Sequence, residues 1–114
     1  MENWKMKEDM YNYLDNFEEQ TKQRFCMLHK LIYESTSQNI DEKLWAKLPS
    51  FYVDNNVIRL IPFKDHINVE AKAITFHKDQ LSEYNTPPKG MLQIFHKQDV
   101  PCELLKVIFE ESFK

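Results

Sequence analysis

The feature that most constrains the fold is a change of period at Pro49. Before it, apolar side chains recur every three or four residues; after it, they alternate. Met6, Met10, Tyr13, Leu14 and Phe17 form one stripe, which predicts a helix over 5–15. Asn16 followed by Glu19 reads as a capping box that opens a second helix running to about Ser35. Its stripe is Phe25, Leu28, His29 and Ile32, flanked by Tyr33 and Cys26. A polar turn follows over Ser35–Asn39, and Asp41 is expected to cap a short helical turn through Lys47, ended by Pro49.

Past Pro49 the pattern is that of strands. Phe51–Asp54 and Val57–Phe63 are separated by Asn55–Asn56, and Asn tolerates positive φ, so a two-residue hairpin loop is expected there. That register pairs Asp54 with Val57, Val53 with Ile58, Tyr52 with Arg59 and Phe51 with Leu60. Alternation then places Phe51, Val53, Ile58 and Leu60 on an apolar face and Tyr52, Asp54, Arg59 and Ile61 on the other. His66–Glu70 extends both faces: Ile67 and Val69 join the first, His66, Asn68 and Glu70 the second. Ala71–Leu81 reads as a helix with Ile74 and Leu81 inward, and Asn85–Lys89 as a loop. Gly90–His96 reads as a fourth strand with Leu92 and Ile94 toward the core. Pro101 suits the first position of a closing helix lined by Leu104, Leu105, Ile108 and Phe109. The expected fold is a single α+β domain over residues 1–114. It is a two-layer sandwich of a four-stranded, mainly antiparallel sheet with helices packed on one face.

Charge and composition exclude several functions. The 114 residues carry 15 basic and 18 acidic groups, a formal charge of −3, with no basic run beyond Lys22–Gln23–Arg24. Nucleic-acid binding and polybasic membrane attachment both need more positive charge than that. The opening MENWKMKEDM lacks the apolar run of a secretory signal. The most apolar stretch, Val57–Phe63, is interrupted by Arg59 and Pro62 and falls far short of the ~20 residues of a bilayer span. A cytoplasmic location is therefore expected, with Cys26 and Cys102 as reduced, small buried hydrophobes. A single glycine, Gly90, rules out glycine-rich phosphate loops and dinucleotide fingerprints, and is expected to serve a backbone conformation that other residues avoid. No nucleophile–base pair, zinc spacing or metalloprotease motif is visible, so enzymatic activity is not expected.

Three sets of residues remain as candidates. His29, inside an apolar stripe, is expected to be a core imidazole with one hydrogen bond. Glu8, Asp15, Glu18 and Glu19 gather around the end of the first helix and the start of the second. They read either as a solvated face with favourable dipole placement or as a shallow site holding a metal cation weakly. On the polar sheet face, Tyr52, Arg59 and His66, together with Lys89, form a candidate ligand- or partner-binding surface, since an aromatic and an arginine are common anchors. His66 and Glu70, about 13 Å apart along one strand, are too far from each other to chelate one ion. Trp4 and Tyr11 lie off the first stripe and point to a monomer or a weak dimer.

The order and spacing of several segments resemble the YdhG-like domain family of small bacterial proteins. They are Phe25–Cys26–Met27–Leu28–His29–Lys30–Leu31–Ile32, Glu42–Lys43–Leu44–Trp45 leading into Leu48–Pro49–Ser50–Phe51, Phe63–Lys64–Asp65–His66–Ile67–Asn68–Val69, Lys89–Gly90–Met91–Leu92–Gln93–Ile94, and Pro101 before Leu104, Leu105 and Ile108. The resemblance spans roughly residues 7–112. Lys47–Leu48 departs from it, since the family often has Gly–Met or Trp–Met before the proline. The resemblance implies a compact α/β sandwich without a catalytic motif. It also implies a frataxin-like intracellular iron chaperone that binds iron weakly and delivers it to iron–sulfur cluster or haem assembly proteins. The residues by themselves leave open a non-enzymatic module that binds a small ligand or a protein.

Overall fold

A computed structural model describes residues 6–114, so Trp4 and the start of the first expected helix lie outside the described residues. Among the described residues two helices come first, α1 over Glu8–Leu14 and α2 over Glu19–Glu34. Strands β1 (Asp41–Trp45), β2 (Leu48–Val53), β3 (Asn56–Pro62) and β4 (His66–Glu70) follow. A 3-10 helix (Lys72–Leu81), β5 (Met91–Phe95) and a closing helix, α3 (Cys102–Ser112), complete the order. The strands form one antiparallel sheet of five in the order β1-β2-β3-β4-β5. The α+β class is as expected, but the sheet has five strands rather than four.

The additional strand is Asp41–Trp45, where a helical turn was expected. Ala46 and Lys47 both take the left-handed region, with φ of 52° and 67°, and join β1 to β2 as a two-residue hairpin. Such turns match the twist of paired strands but usually carry Asn or Gly, so Ala–Lys gives no local signal. Pro49 sits inside β2 opposite Leu44, next to where the β2–β3 ladder begins at Ser50 and Arg59. The second hairpin turns at Asp54–Asn55 rather than Asn55–Asn56: Asp54 has φ 55° and Val53 pairs with Asn56. Phe51 therefore faces Ile58, and Ser50 faces Arg59. The pairing moves by two residues, an even number, so the expected faces survive. Phe51, Val53, Ile58, Leu60, Ile67, Val69, Leu92 and Ile94 are all buried.

Helices α2 and α3 pack on each other and on β3, and the 3-10 helix joins α3 and β5. Met6, Met10 and Leu14 bury as the stripe requires, with Tyr13 and Phe17 packed at its margin. The expected capping box does not form: Glu18 is the N-cap of α2 without a side-chain cap bond, and Asn16 Nδ2 instead donates to the Tyr13 carbonyl. Pro101 is the N-cap of α3, one position before its expected place. The segment after β4 is a 3-10 helix with a break at His77 rather than an α-helix, although Ile74 and Leu81 are buried as expected. No described helix is long and apolar enough to cross a membrane.

Gly90 has φ 73°, and a Cβ there would lie 2.7 Å from the Ala71 carbonyl oxygen. The Ala71 N–H donates to the Gly90 carbonyl at 2.9 Å, so this backbone crossing joins the end of β4 to the start of β5. The single glycine thus stands where both its conformation and its missing side chain are needed.

Candidate functional site

Alternation along the strands places Asp41, Lys43 and Trp45, then Ser50 and Tyr52, then Arg59 and Ile61, on the sheet face turned away from the helices. Arg59 is the centre of this face. Its Nε donates to Ser50 Oγ at 3.1 Å, one Nη donates to the Tyr52 hydroxyl at 3.3 Å, and the other lies 3.6 Å from Glu70. The guanidinium also lies over the Trp45 ring, 4.6 Å from its centroid, while Lys43 Nζ lies 4.8 Å from the Tyr52 centroid. A planar cation stacked on an aromatic and forked onto three oxygens holds one rotamer. The Arg59 side chain is 15% exposed, whereas Trp45 at its edge is 53% exposed.

Of the residues expected to form a recognition surface, the structure brings Tyr52 and Arg59 into contact. His66 belongs to a separate group at the end of the same face, stacked on Phe63 at 4.5 Å and tilted against Phe95 at 5.0 Å. Its Nδ1 is 2.7 Å from Asp65, a hydrogen bond that holds the Asp65 carboxyl below its ordinary range. Lys89 is exposed in the turn before β5 with φ 70°, and among the described residues no hydrogen bond or ion pair joins it to the other three. An open cleft of about 780 Å³ lies beside the His66 group, lined by Glu18, Lys64, Asp65, Phe95 and His96. Within that wall His96 Nε2 meets the Thr21 hydroxyl at 2.9 Å, and burial followed by the nearby Arg24 charge pushes the His96 imidazole below its ordinary pKa.

The four carboxylates expected to hold a metal are distributed along two helices. Glu8 opens α1, Asp15 follows its last turn and faces Lys22 at 3.6 Å, Glu18 is the N-cap of α2, and Glu19 is its first residue. Asp15 and Glu19 line one recess with Lys22 and Cys26. Among the described residues, no three His, Cys, Asp or Glu side chains are grouped to share one ion. Cys26 is exposed rather than buried, and Cys102 is half-buried.

Sequence reasoning missed the buried partner of His29. The imidazole is a core residue with one hydrogen bond, as expected, and its acceptor is Glu42 Oε1 at 2.7 Å. The Tyr33 hydroxyl donates to the same oxygen at 2.7 Å, and the Lys7 backbone N–H donates to Oε2 at 3.0 Å. Burial works to raise the Glu42 pKa, but the bonds from His29, Lys7 and Tyr33 outweigh it and leave the carboxyl below its ordinary value. Burial, and then the Glu42 bond and charge, push the Tyr33 phenol well up. The signal was present in the alternation of Ile40, Glu42 and Leu44, which becomes readable only once Ala46–Lys47 is recognised as a hairpin turn. The same recognition would have put Trp45 beside Arg59.

Compared with protein families, with curated proteins and with solved structures, the chain has no match.

Proposed function

We propose that this chain is a non-enzymatic binding module whose working surface is the helix-free face of the sheet, with a protein as its partner. The observation that carries this reading is the fixed array of Trp45, Tyr52 and Arg59. It presents a large aromatic edge around a cation that already has its oxygens. A preordered Arg–aromatic group loses little side-chain freedom on docking, which is what an interface anchor requires. Arg59 is held by Ser50, Tyr52 and Glu70. That favours a protein surface, which would add contacts around the array, over a small anion, which would have to displace Glu70. A pull-down comparing the wild-type chain with a Tyr52→Ala/Arg59→Ala double variant tests it. Partners lost by the variant support the reading, and an unchanged set removes it.

The cargo suggested by the YdhG-like resemblance is iron, held weakly at the acidic helix ends and passed to an iron–sulfur or haem assembly protein docked on that face. The shared recess of Asp15 and Glu19 supports this second reading, because exposed oxygen donors hold a cation loosely enough to release it. Anaerobic Fe²⁺ titration followed by amide NMR shifts tests it. Perturbation centred on Asp15 and Glu19 is expected, and unchanged spectra at millimolar iron would remove the iron reading while leaving the docking face intact.

A further inference from the structure

Two sulfur atoms meet where α2 crosses the start of α3. Cys102 Sγ lies 4.0 Å from Met27 Sδ, although the two residues are 75 positions apart in the chain. The spacing is set by the framework, because α2 and α3 pack directly on each other. Neither residue is buried: Met27 is 45% exposed and Cys102 is half-buried. A thioether this exposed contributes little to core packing.

We propose that Met27 and Cys102 form a binding site for a soft monovalent cation of the copper(I) or silver(I) class. Thiolate and thioether donors select such ions, whereas calcium and magnesium demand oxygen. Geometry agrees. Two metal–sulfur bonds of about 2.3 Å, reaching sulfurs 4.0 Å apart, meet at roughly 120°. That is the angle of a trigonal centre with two places filled, so the third donor comes from outside the chain. Binding forms one thiolate–metal and one thioether–metal bond, releases the thiol proton to solvent and involves no change of oxidation state. The site is separate in place and in chemistry from the acidic helix ends.

The test is titration of the reduced full chain with copper(I) under argon, in competition with a chromophoric copper(I) chelator, and in parallel with silver(I). One equivalent is expected to bind, with X-ray absorption showing two sulfur neighbours. Losing a direct ligand costs at least the roughly 10–100-fold in affinity that loss of an outer partner costs. Met27→Leu should therefore weaken binding by that much, Cys102→Ser should abolish it, and Cys26→Ser should leave it unchanged. Wild-type affinity in either Met27→Leu or Cys102→Ser overturns the proposal, as does loss of binding in Cys26→Ser. The Met27→Leu change is on the surface and conserves volume, so circular dichroism is expected to show an intact fold.

Discussion

His29 Nε2 lies 2.7 Å from Glu42 Oε1, and the two side chains are 2% and 1% exposed. This contact joins the middle of α2 to the edge strand β1. Through Oε2, which accepts the Lys7 N–H, it also holds the start of α1. One carboxylate therefore fastens three elements. Removing it leaves a buried imidazole, and beside it a half-buried phenol and a backbone N–H, without their acceptor. Glu42→Ala should lower stability by about 3–5 kcal/mol, read as a fall in the urea midpoint with little change in slope. Equal midpoints in the variant and the wild type would show that the three donors find other acceptors.

The same carboxyl sets an acid limit. Its folded-state pKa lies below the ordinary value, so the stability it contributes is present above the ordinary carboxylate range and is lost as pH falls through the lowered folded value. Unfolding midpoints followed from neutral pH into the acid range should fall for the wild-type chain. In Glu42→Gln, which has no titrating group at this position, the fall should be shallower.

His77 gives the opposite sign. Its Nδ1 meets Gln80 at 2.7 Å and its Nε2 meets Glu111 at 2.8 Å, which ties the 3-10 helix to α3. The Gln80 bond and then the Glu111 bond raise its pKa. The tie is therefore fully present below the ordinary imidazole pKa and weakens as pH rises through the raised folded value. Amide exchange in the 3-10 helix, corrected for intrinsic rate, should accelerate over that window. His77→Gln should remove the pH dependence.

The crossing at Gly90 predicts two opposite effects from adjacent positions. Gly90→Ala forces a side chain into the left-handed region and against the Ala71 carbonyl. It should cost more than the roughly 1–2 kcal/mol of that conformation alone. Lys89, with φ 70°, already carries the conformational cost with an exposed side chain. Lys89→Gly should therefore be neutral or stabilising by up to about 1 kcal/mol, measured by thermal or urea unfolding.

The first hairpin can be tested in the same way. Lys47→Gly, at φ 67°, should raise the midpoint, because it supplies the residue that a mirror-image turn prefers. A lowered midpoint would mean that the Lys47 side chain makes a compensating contact.

What could be read in the sequence divides along the same physical line. The stripe of Met10, Leu14, Phe25, Leu28 and Ile32 and the alternation from Phe51 to Val69 reflect burial, which acts over whole segments and leaves a period. The faces of the sheet followed from it even though the turn at Asp54 was placed one residue late. Asp41–Trp45 was misread because Asp–Glu–Lys–Leu–Trp–Ala–Lys is rich in helix-forming residues. The turn that makes it a strand depends on tertiary pairing with Leu48–Tyr52 rather than on Asn or Gly. With β1 misplaced, neither Glu42 beneath His29 nor Trp45 over Arg59 could be seen. The Tyr52–Arg59 neighbourhood was legible because both lie on one hairpin. Lys89, in a loop with no period, was not placed by pattern at all. The Met27–Cys102 approach joins the two ends of the chain and leaves no local trace.

Strand order here equals chain order. The first four strands each find a mate in the next stretch of polypeptide, so that part of the ribbon can zip from hairpin to hairpin with short loops to close, and β5 joins only after the longer connection that carries the 3-10 helix. Its roof is another matter, since α2 precedes the ribbon, α3 follows it, and the two must meet above it. A sheet that pairs during synthesis would keep part of its apolar face uncovered until α3 leaves the ribosome. That interval, which ends only when the last helix emerges, is when a growing chain of this design most needs a chaperone.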